Sequence, residues 1–595
     1  MRRRRHRSHG FGDNRTIYKG RLPRTLPGIP APVGLTGRTP GGTGPLQSGA
    51  TTRPRARRGL GTATAYVAAG TLLSRVTGLL RILVAIYALG YSGLSDSFNL
   101  ANNTPNIVHD LVLGGILTAT FVPVFVSRLA TRSEKEAVES ISAVLTLAAC
   151  VLVGATVVFF LAAPFIIDLY TVGSHGPAIA NERQVATSLL RLFSPQLLAY
   201  GAISLMTAVL NTARRFSAPA FTPILNNIVA IGILFAFVTV GHTHSVSQVG
   251  HDHRLLLLLG VGTTLGVVLQ AVALVPSLLS CGLQIRPRWR PGDPAVREIV
   301  NLSGWTFGFV IANQLAVFVV SAIAISVGRA TLTAYTYAST FFQLPFGIVA
   351  VSVMTTIAPV LASRFTRGDT AGFAEQFGLG LRRMLAGVIP AVVGYLLLAR
   401  PAISLISLGA GHSSGGAHLT ATMLELLALG LPGFCVYLFA ILAFQSMRDT
   451  RTPFFLYLLE NGLNIILAFA LRSLLGGKGL ALSLAIAYTV SAVAALLVLR
   501  ARVGGLGGLL VGRYVLRTII CSLIMAFVVA LVLAGVGSNQ GVGLLERVIA
   551  AVVAGLVAYA VAAGLAGSVV GWQTSKQRRV NAREGAHGRN KSRNR

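Results

Sequence analysis

What most constrains this chain is a succession of apolar stretches, each more than twenty residues long, running from about residue 62 to about residue 571. A helix of about 20 apolar residues crosses the hydrocarbon core of a bilayer, about 30 Å thick. Of the 595 residues, 53% are hydrophobic and only 12% are charged, roughly half the charge of an ordinary soluble domain. A single water-soluble core does not grow to this size with so little polar surface. The expected fold class is an all-α integral membrane protein of about fourteen transmembrane helices. The spans are placed at 62–90, 98–127, 138–170, 186–212, 219–240, 255–280, 298–327, 333–362, 377–407, 418–446, 453–474, 478–500, 513–536 and 545–571.

The loops test the count. With the N-terminal tail cytoplasmic, the loops expected inside (127–136, 213–217, 286–298, 363–369, 447–453 and 500–505) each carry at least two arginines. Those expected outside (91–97, 171–185, 241–254, 327–331, 408–418, 471–479 and 535–543) carry at most two basic residues and mostly one or none. Positive charge favours the cytoplasmic side, and adding or removing one helix would scramble the alternation from that point on. Both termini are therefore expected in the cytoplasm. The same topology accounts for the formal net charge of +33, whose excess sits in the two tails and the short loops, so nucleic acid is not expected as a partner.

The tails at 1–60 and 572–595 are basic, and the first is also rich in Gly, Pro and Thr. No apolar segment follows the MRRRRHR start until Thr62, so the first tail reads as disordered and cytoplasmic and not as a cleaved leader. Contact with anionic membrane lipids is a further reading of this tail. Cys150, Cys281, Cys435 and Cys521 are scattered through apolar segments without CxxC spacing and read as small buried hydrophobes. His242, His244, His251 and His253 share one outer loop, which reads as a hydrated loop; no metal site is expected.

Two segments of the first half recur in the second. FVPVFVSRL (Phe121 to Leu129) resembles IAPVLASRF (Ile357 to Phe365), with Pro123 and Pro359 236 residues apart. NTARRFSAP (Asn211 to Pro219) resembles SMRDTRTP (Ser446 to Pro453), with the prolines 234 apart. The period covers six spans, an even number, so the repeat is parallel and its axis lies along the membrane normal. The expected organisation is a tail (1–60), an N-terminal lobe of spans 1–6 (61–285), a C-terminal lobe of spans 7–12 (286–502), spans 13–14 (503–571) and a second tail (572–595). Such lobes rock about a site between them; the alternative is a relic of duplication without bearing on mechanism.

Charge inside the membrane is costly and marks candidate sites. Span 1 holds SRVTGLLR. At 100° per residue Ser74, Gly78 and Arg81 share one face, with Arg75 on its flank. Two guanidiniums in a water-filled cavity suit a phosphate or diphosphate, gripped through paired N–H donors. The alternatives are snorkelling to an interface or pairing with a carboxylate. Span 11 carries Glu460 and Asn464, spaced i, i+4 on one face. Oxygen ligands there suit a hard cation that couples to transport, or they form a polar helix contact; span 7 adds Asn313 and Gln314 but no acid.

The run SRVTGLLR, then Asp96, NTPNIVHDLVLGGILTATFVPVF (Asn103 to Phe125) and LNTARRFSAPAFTPILNNI (Leu210 to Ile228) resembles the MurJ/MviN lipid II flippases, within the multidrug/oligosaccharidyl-lipid/polysaccharide exporter superfamily. The resemblance covers about residues 62–570, through FQLPFGI (Phe342 to Ile348) and RDTRTP (Arg448 to Pro453). It implies transport of lipid II, the undecaprenyl-diphosphate-linked muropeptide, from the inner to the outer leaflet of the bacterial plasma membrane by alternating access, for peptidoglycan synthesis. It implies no enzyme activity and a groove at the last two spans for the polyprenyl tail. Arg75 and Arg81 match the family's two essential span-1 arginines, and Asp96 matches its acidic residue at the outer end of span 1, a gating or structural acid. Two further cavity arginines of the family, in spans 2 and 8, are replaced here by His109 and Thr340. His109, with an ordinary pKa near 6.5, either carries a pH-dependent charge or serves as a hydrogen-bonding group; Arg191, Arg382 and Arg383 are the candidates to compensate, the alternative for Arg382 and Arg383 being a place at the cytoplasmic interface. No cofactor is implied; a monovalent cation (Na+ or H+) or the membrane potential stands as the driving force.

Other readings remain beside this one. An exporter of another polyprenyl-diphosphate-linked oligosaccharide has the same composition. A scaffold would recruit cell-wall or division proteins through the tails. A membrane enzyme would need a sizeable loop bearing acids or metal ligands, and no loop between spans exceeds about twenty residues.

Overall fold

The computed structural model describes residues 56–114, 121, 124–125, 127, 133–174, 176–213, 215–241, 245–282, 286–407, 414–506, 508–537 and 541–566. Residues 59–595 form one compact unit. Residues 1–58 fall in another, and of these the described ones are the first turn of a helix. Residues 1–55 of the first tail, all of the second, Pro123, Arg128, His242 and His244 lie outside the described residues, whereas residues 56–60, expected to be disordered, already belong to the span-1 helix.

Every regular element among the described residues is helical, which follows from the need to satisfy each backbone group within its own segment in lipid. Span 1 is Ala56–Leu89, span 3 Glu134–Tyr170, span 4 Pro177–Thr212, span 5 Ser217–Gly241, span 6 His253–Leu279 and span 7 Pro294–Val327. Spans 9 to 14 are Thr370–Ile406, Ser414–Ser446, Arg451–Leu475, Lys478–Val503, Gly508–Gly535 and Gly541–Leu565. Thirteen helices among the described residues are long and apolar enough to cross a membrane. The expected second span is not among them: its helix is described continuously only as Gly93–His109 and a π-helical turn at Asp110–Gly114. Span 8 is likewise interrupted, Thr331–Pro345 leading through a π turn at Phe346–Ala350 into Val351–Thr366.

The helix ends are set by local chemistry. Span 2 begins at Gly93 and not near 98 because Ser92 and Ser95 form a reciprocal capping box. Asp252, Asp293 and Asp369 accept backbone N–H groups at the starts of spans 6, 7 and 9, and Pro294 takes the first helical position, where no N–H is needed. Close packing depends on small residues: a Cβ on Gly430 would lie 2.5 Å from Ala485 Cα, so spans 10 and 12 approach backbone to backbone there.

The second-half core gathers side chains of spans 8 to 12, with Phe377 and Phe439 stacked at 4.6 Å. The first-half core gathers spans 1 to 6 and takes in Val320, Ile323 and Leu332 from the second half. Spans 13 and 14 pack through Met525, Val529 and Ala551 against span 9. Large apolar side chains such as Leu161, Phe165, Phe527 and Leu556 are exposed, as suits surfaces solvated by lipid tails. Among the cysteines, Cys435 and Cys521 are buried as expected, but Cys150 is exposed on span 3 and Cys281 half-buried. Apolar surface in lipid need not be interior, so apolar surroundings in sequence do not imply burial.

Candidate functional site

Span 1 runs between span 5 and span 8. On one side Asn227 of span 5 donates to the Ser74 carbonyl at 3.2 Å and to Thr77 Oγ at 3.0 Å. Gly78 faces the same amide; a Cβ there would sit 3.5 Å from Asn227 Nδ2. Ser74 is half-buried, and its main chain, not its hydroxyl, makes that contact. On the other side the Arg75 guanidinium lies on Gly347, within the π turn of span 8, so closely that a Cβ at Gly347 would stand 2.5 Å from Nη1. Arg81, two turns further out, is half-buried and close enough to Tyr200 of span 4 and Tyr337 of span 8 to act on both phenols electrostatically. Among the described residues neither Arg75 nor Arg81 has a hydrogen bond or ion pair to protein. At 1.5 Å per residue from Leu89, they lie about 12 and about 21 Å below the outer end of the span, Arg81 being the shallower.

His109 ends the regular part of span 2. Its Nδ1 is 3.1 Å from Asp110 Oδ1 and its Nε2 is 3.1 Å from Ser204 Oγ on span 4. A carboxylate only accepts, so Nδ1 carries a proton. The ring sits 6.1 Å from Tyr200, which places it in the same neighbourhood as Arg81. Asp110 was not among the residues singled out from sequence, although the rule that flags charge within a membrane span applies to it. It accepts from Gln314 Nε2 of span 7 at 3.1 Å, and Asn313 holds the Gln314 oxygen at 3.1 Å. Thr340 turns its hydroxyl back onto the Thr336 carbonyl. Arg191 is exposed with its guanidinium 5.8 Å from the Phe160 ring, and Arg382 and Arg383 lie near Tyr514 at the start of span 13. None of these three is brought to Arg75 or Arg81 by any contact described.

Asp96 lies at the outer start of span 2 and not on span 1. Its carboxylate accepts the Ala330 N–H at 2.6 Å, the Thr333 N–H at 2.8 Å and the Thr333 hydroxyl at 2.6 Å. It thereby caps span 8 and ties the first half to the turn between spans 7 and 8. Ala330 holds a left-handed φ of 61° in that turn. Beside it Arg329 pairs with Glu182 of span 4 at 3.3 Å, and Ile86, Tyr91, Ala330 and Tyr337 form an apolar cluster. The two halves are thus joined at this end.

Glu460 is buried, and Tyr335, Tyr437, Tyr457 and Tyr488 from spans 8, 10, 11 and 12 lie near enough to feel its charge. Asn464 accepts from the Ser483 hydroxyl of span 12 at 3.0 Å. Gln314 of span 7 is committed to span 2 instead. No group of three or more metal-binding side chains occurs among the described residues. An apolar cavity of about 460 Å³ opens between spans 9, 10, 12 and 13, lined by Leu385, Val392, Gly433, Thr489, Val515 and Ile519 among others.

A profile of the lipid II flippase MurJ family matches residues 85–570. A probable lipid II flippase MurJ of Vibrio cholerae is 26% identical over 423 residues, covering 70% of this chain and 78% of that protein. The lipid II flippase MurJ of Burkholderia cenocepacia is 25% identical over 445 residues, covering 73% and 82%. Among solved structures, a lipid II flippase MurJ in an inward closed conformation superposes with a TM-score of 0.69 at 22% identity, over 84% of this chain and 98% of that one. A multidrug resistance transporter of the MATE family, inward-facing, gives 0.60 at 15% identity, over 73% and 96%; at such identities these likenesses concern the fold.

Proposed function

Because the chain belongs to the lipid II flippase MurJ family, we propose that Arg75 and Arg81 are the groups that hold the diphosphate of lipid II while the protein carries it across the membrane. The protein is a multi-pass membrane transporter of that family, and its task is to present the lipid-linked peptidoglycan precursor at the outer leaflet for cell-wall synthesis. The observation that supports the arginine reading is their isolation. Two guanidiniums sit deep in the membrane-spanning region with no protein acceptor among the described residues, and such a charge is costly unless it faces water or an anion. Guanidiniums grip phosphate oxygens through paired donors.

The same geometry supports a reading of the remaining steps. The Asp96 anchor holds the outer ends together, so the headgroup enters between the halves from the cytoplasmic leaflet. The polyprenyl tail stays in lipid, and the apolar cavity beside span 13 is shaped for part of it. Release outside requires the Asp96 bonds to break as the halves rock. The chain then moves its substrate without making or breaking a covalent bond in it. Glu460 and Asn464 supply oxygen atoms for a monovalent cation that resets the carrier; the membrane potential is the other source of drive. Both termini lie in the cytoplasm by the charge of the loops, where the basic tails can meet anionic lipids or cell-wall proteins.

Complementation tests this reading. A bacterium depleted of its own lipid II flippase would express this chain, wild type or Arg81→Ala, while lipid II exposure at the outer face is followed. Rescue by the wild type alone, with both proteins equally abundant, is the expected result. Absence of rescue by the wild type would remove lipid II as the substrate and favour another lipid-linked oligosaccharide.

A further inference from the structure

Asp110 has no part in the reading above, yet it is a carboxylate about 26 Å along span 2 from the helix start at Gly93, by the rise per residue. A charge within a membrane span is costly when it faces lipid. Its side chain is nonetheless 52% exposed, and its polar neighbours come from inside the bundle: Gln314 of span 7, and His109, itself bound to Ser204 of span 4. The exposed face therefore opens into the space between the halves. The π turn at Asp110–Gly114 begins at this residue, so the widened turn falls where the carboxylate leaves the helix.

A carboxylate offers about four lone-pair sites. His109 occupies one oxygen and Gln314 the other, so about two sites remain toward the cavity. These are not spent on the arginines, because no ion pair joins Asp110 to Arg75 or Arg81 among the described residues. An acid left open in a cavity that receives a diphosphate repels it, unless it meets a part of the same ligand rich in N–H and O–H donors. Resting on the transport reading above, we infer that Asp110, oriented by Gln314 and His109, is a second subsite that accepts hydrogen bonds from the sugar hydroxyls and amides of the headgroup. The diphosphate lies on the span-1 side and the sugar on the span-2 side. The pair of subsites orients the headgroup and selects a sugar-bearing lipid over a bare polyprenyl diphosphate.

Binding of lipid II and of undecaprenyl diphosphate to the purified full-length chain, measured by native mass spectrometry, separates the possibilities. The wild type should prefer lipid II. Asp110→Ala should lose about tenfold of that preference, the scale of one charge-assisted hydrogen bond, through weaker lipid II binding with undecaprenyl diphosphate unweakened. Asp110→Asn, which keeps the shape and one acceptor, should fall between and guards against misfolding of the alanine variant. Arg81→Ala should weaken both ligands together and keep the ratio. A wild-type ratio retained in both Asp110 variants, or a wild type that binds both lipids without preference, would overturn the subsite. A wild type that binds neither lipid would overturn the transport reading itself.

Discussion

Gly347 shows how a residue without a side chain can set the geometry of a charged one. The Arg75 guanidinium occupies the space a Cβ would fill, with Cζ at 2.8 Å and Nη1 at 2.5 Å from that position. The obstructing atoms are the tip of a flexible side chain, so Gly347→Ala should displace the guanidinium and spare the fold. Transport should fall about tenfold, as for loss of one charge-assisted contact, with abundance and melting midpoint unchanged; undiminished transport would show that Arg75 need not sit there. The span-1 arginines stood out in sequence because charge in an apolar helix is rare. Asp110 lies in an equally apolar stretch but beside His109, and its significance comes from Gln314, 204 residues away, a pairing no local pattern announces. The seat at Gly347 was equally hidden, since only the approach of span 1 gives that glycine a purpose.

At the level of helices, the two π turns begin 236 residues apart, at Asp110 and Phe346, the same interval as Pro123 and Pro359 in the sequence repeat. The repeat was legible; the π turns were not, because one extra residue per turn leaves the apolar pattern almost intact. Pro345, directly before the second, lacks an N–H for the ladder and marks the place only in retrospect. The arginine-bearing turns expected in the cytoplasm obey simpler chemistry. Asp449, between spans 10 and 11, is pushed up by burial, but the Thr452 hydroxyl and amide and the Arg502 guanidinium outweigh this and hold its pKa below the ordinary value. A lowered folded pKa stabilises fully above the unfolded value, about 3.9, and the gain is lost as pH falls through the folded one. Asp449→Asn should therefore melt a few degrees below wild type near pH 7, with the difference narrowing as pH falls below the unfolded value of about 3.9. A difference independent of pH would assign the effect to packing.

For the molecule as a whole, loop charge and span length sufficed to read a helical membrane protein, because both are properties of composition along the chain. The state in which the halves are joined was not readable. It depends on Asp96 reaching Ala330 and Thr333, more than 230 residues distant, with Arg329 and Glu182 alongside. Closure at the Asp96 end, together with two guanidiniums that have no acceptor among the described residues, fits the proposed carrier that takes its anion from the cytoplasmic side. The measurement that tests this most directly is lipid II exposure at the outer face of cells relying on an Arg75→Ala, Arg81→Ala double variant, matched to wild type for abundance in the membrane. Exposure should fall to the level of cells with no flippase. Exposure at the wild-type level would contradict the account, since the headgroup would then cross without either arginine.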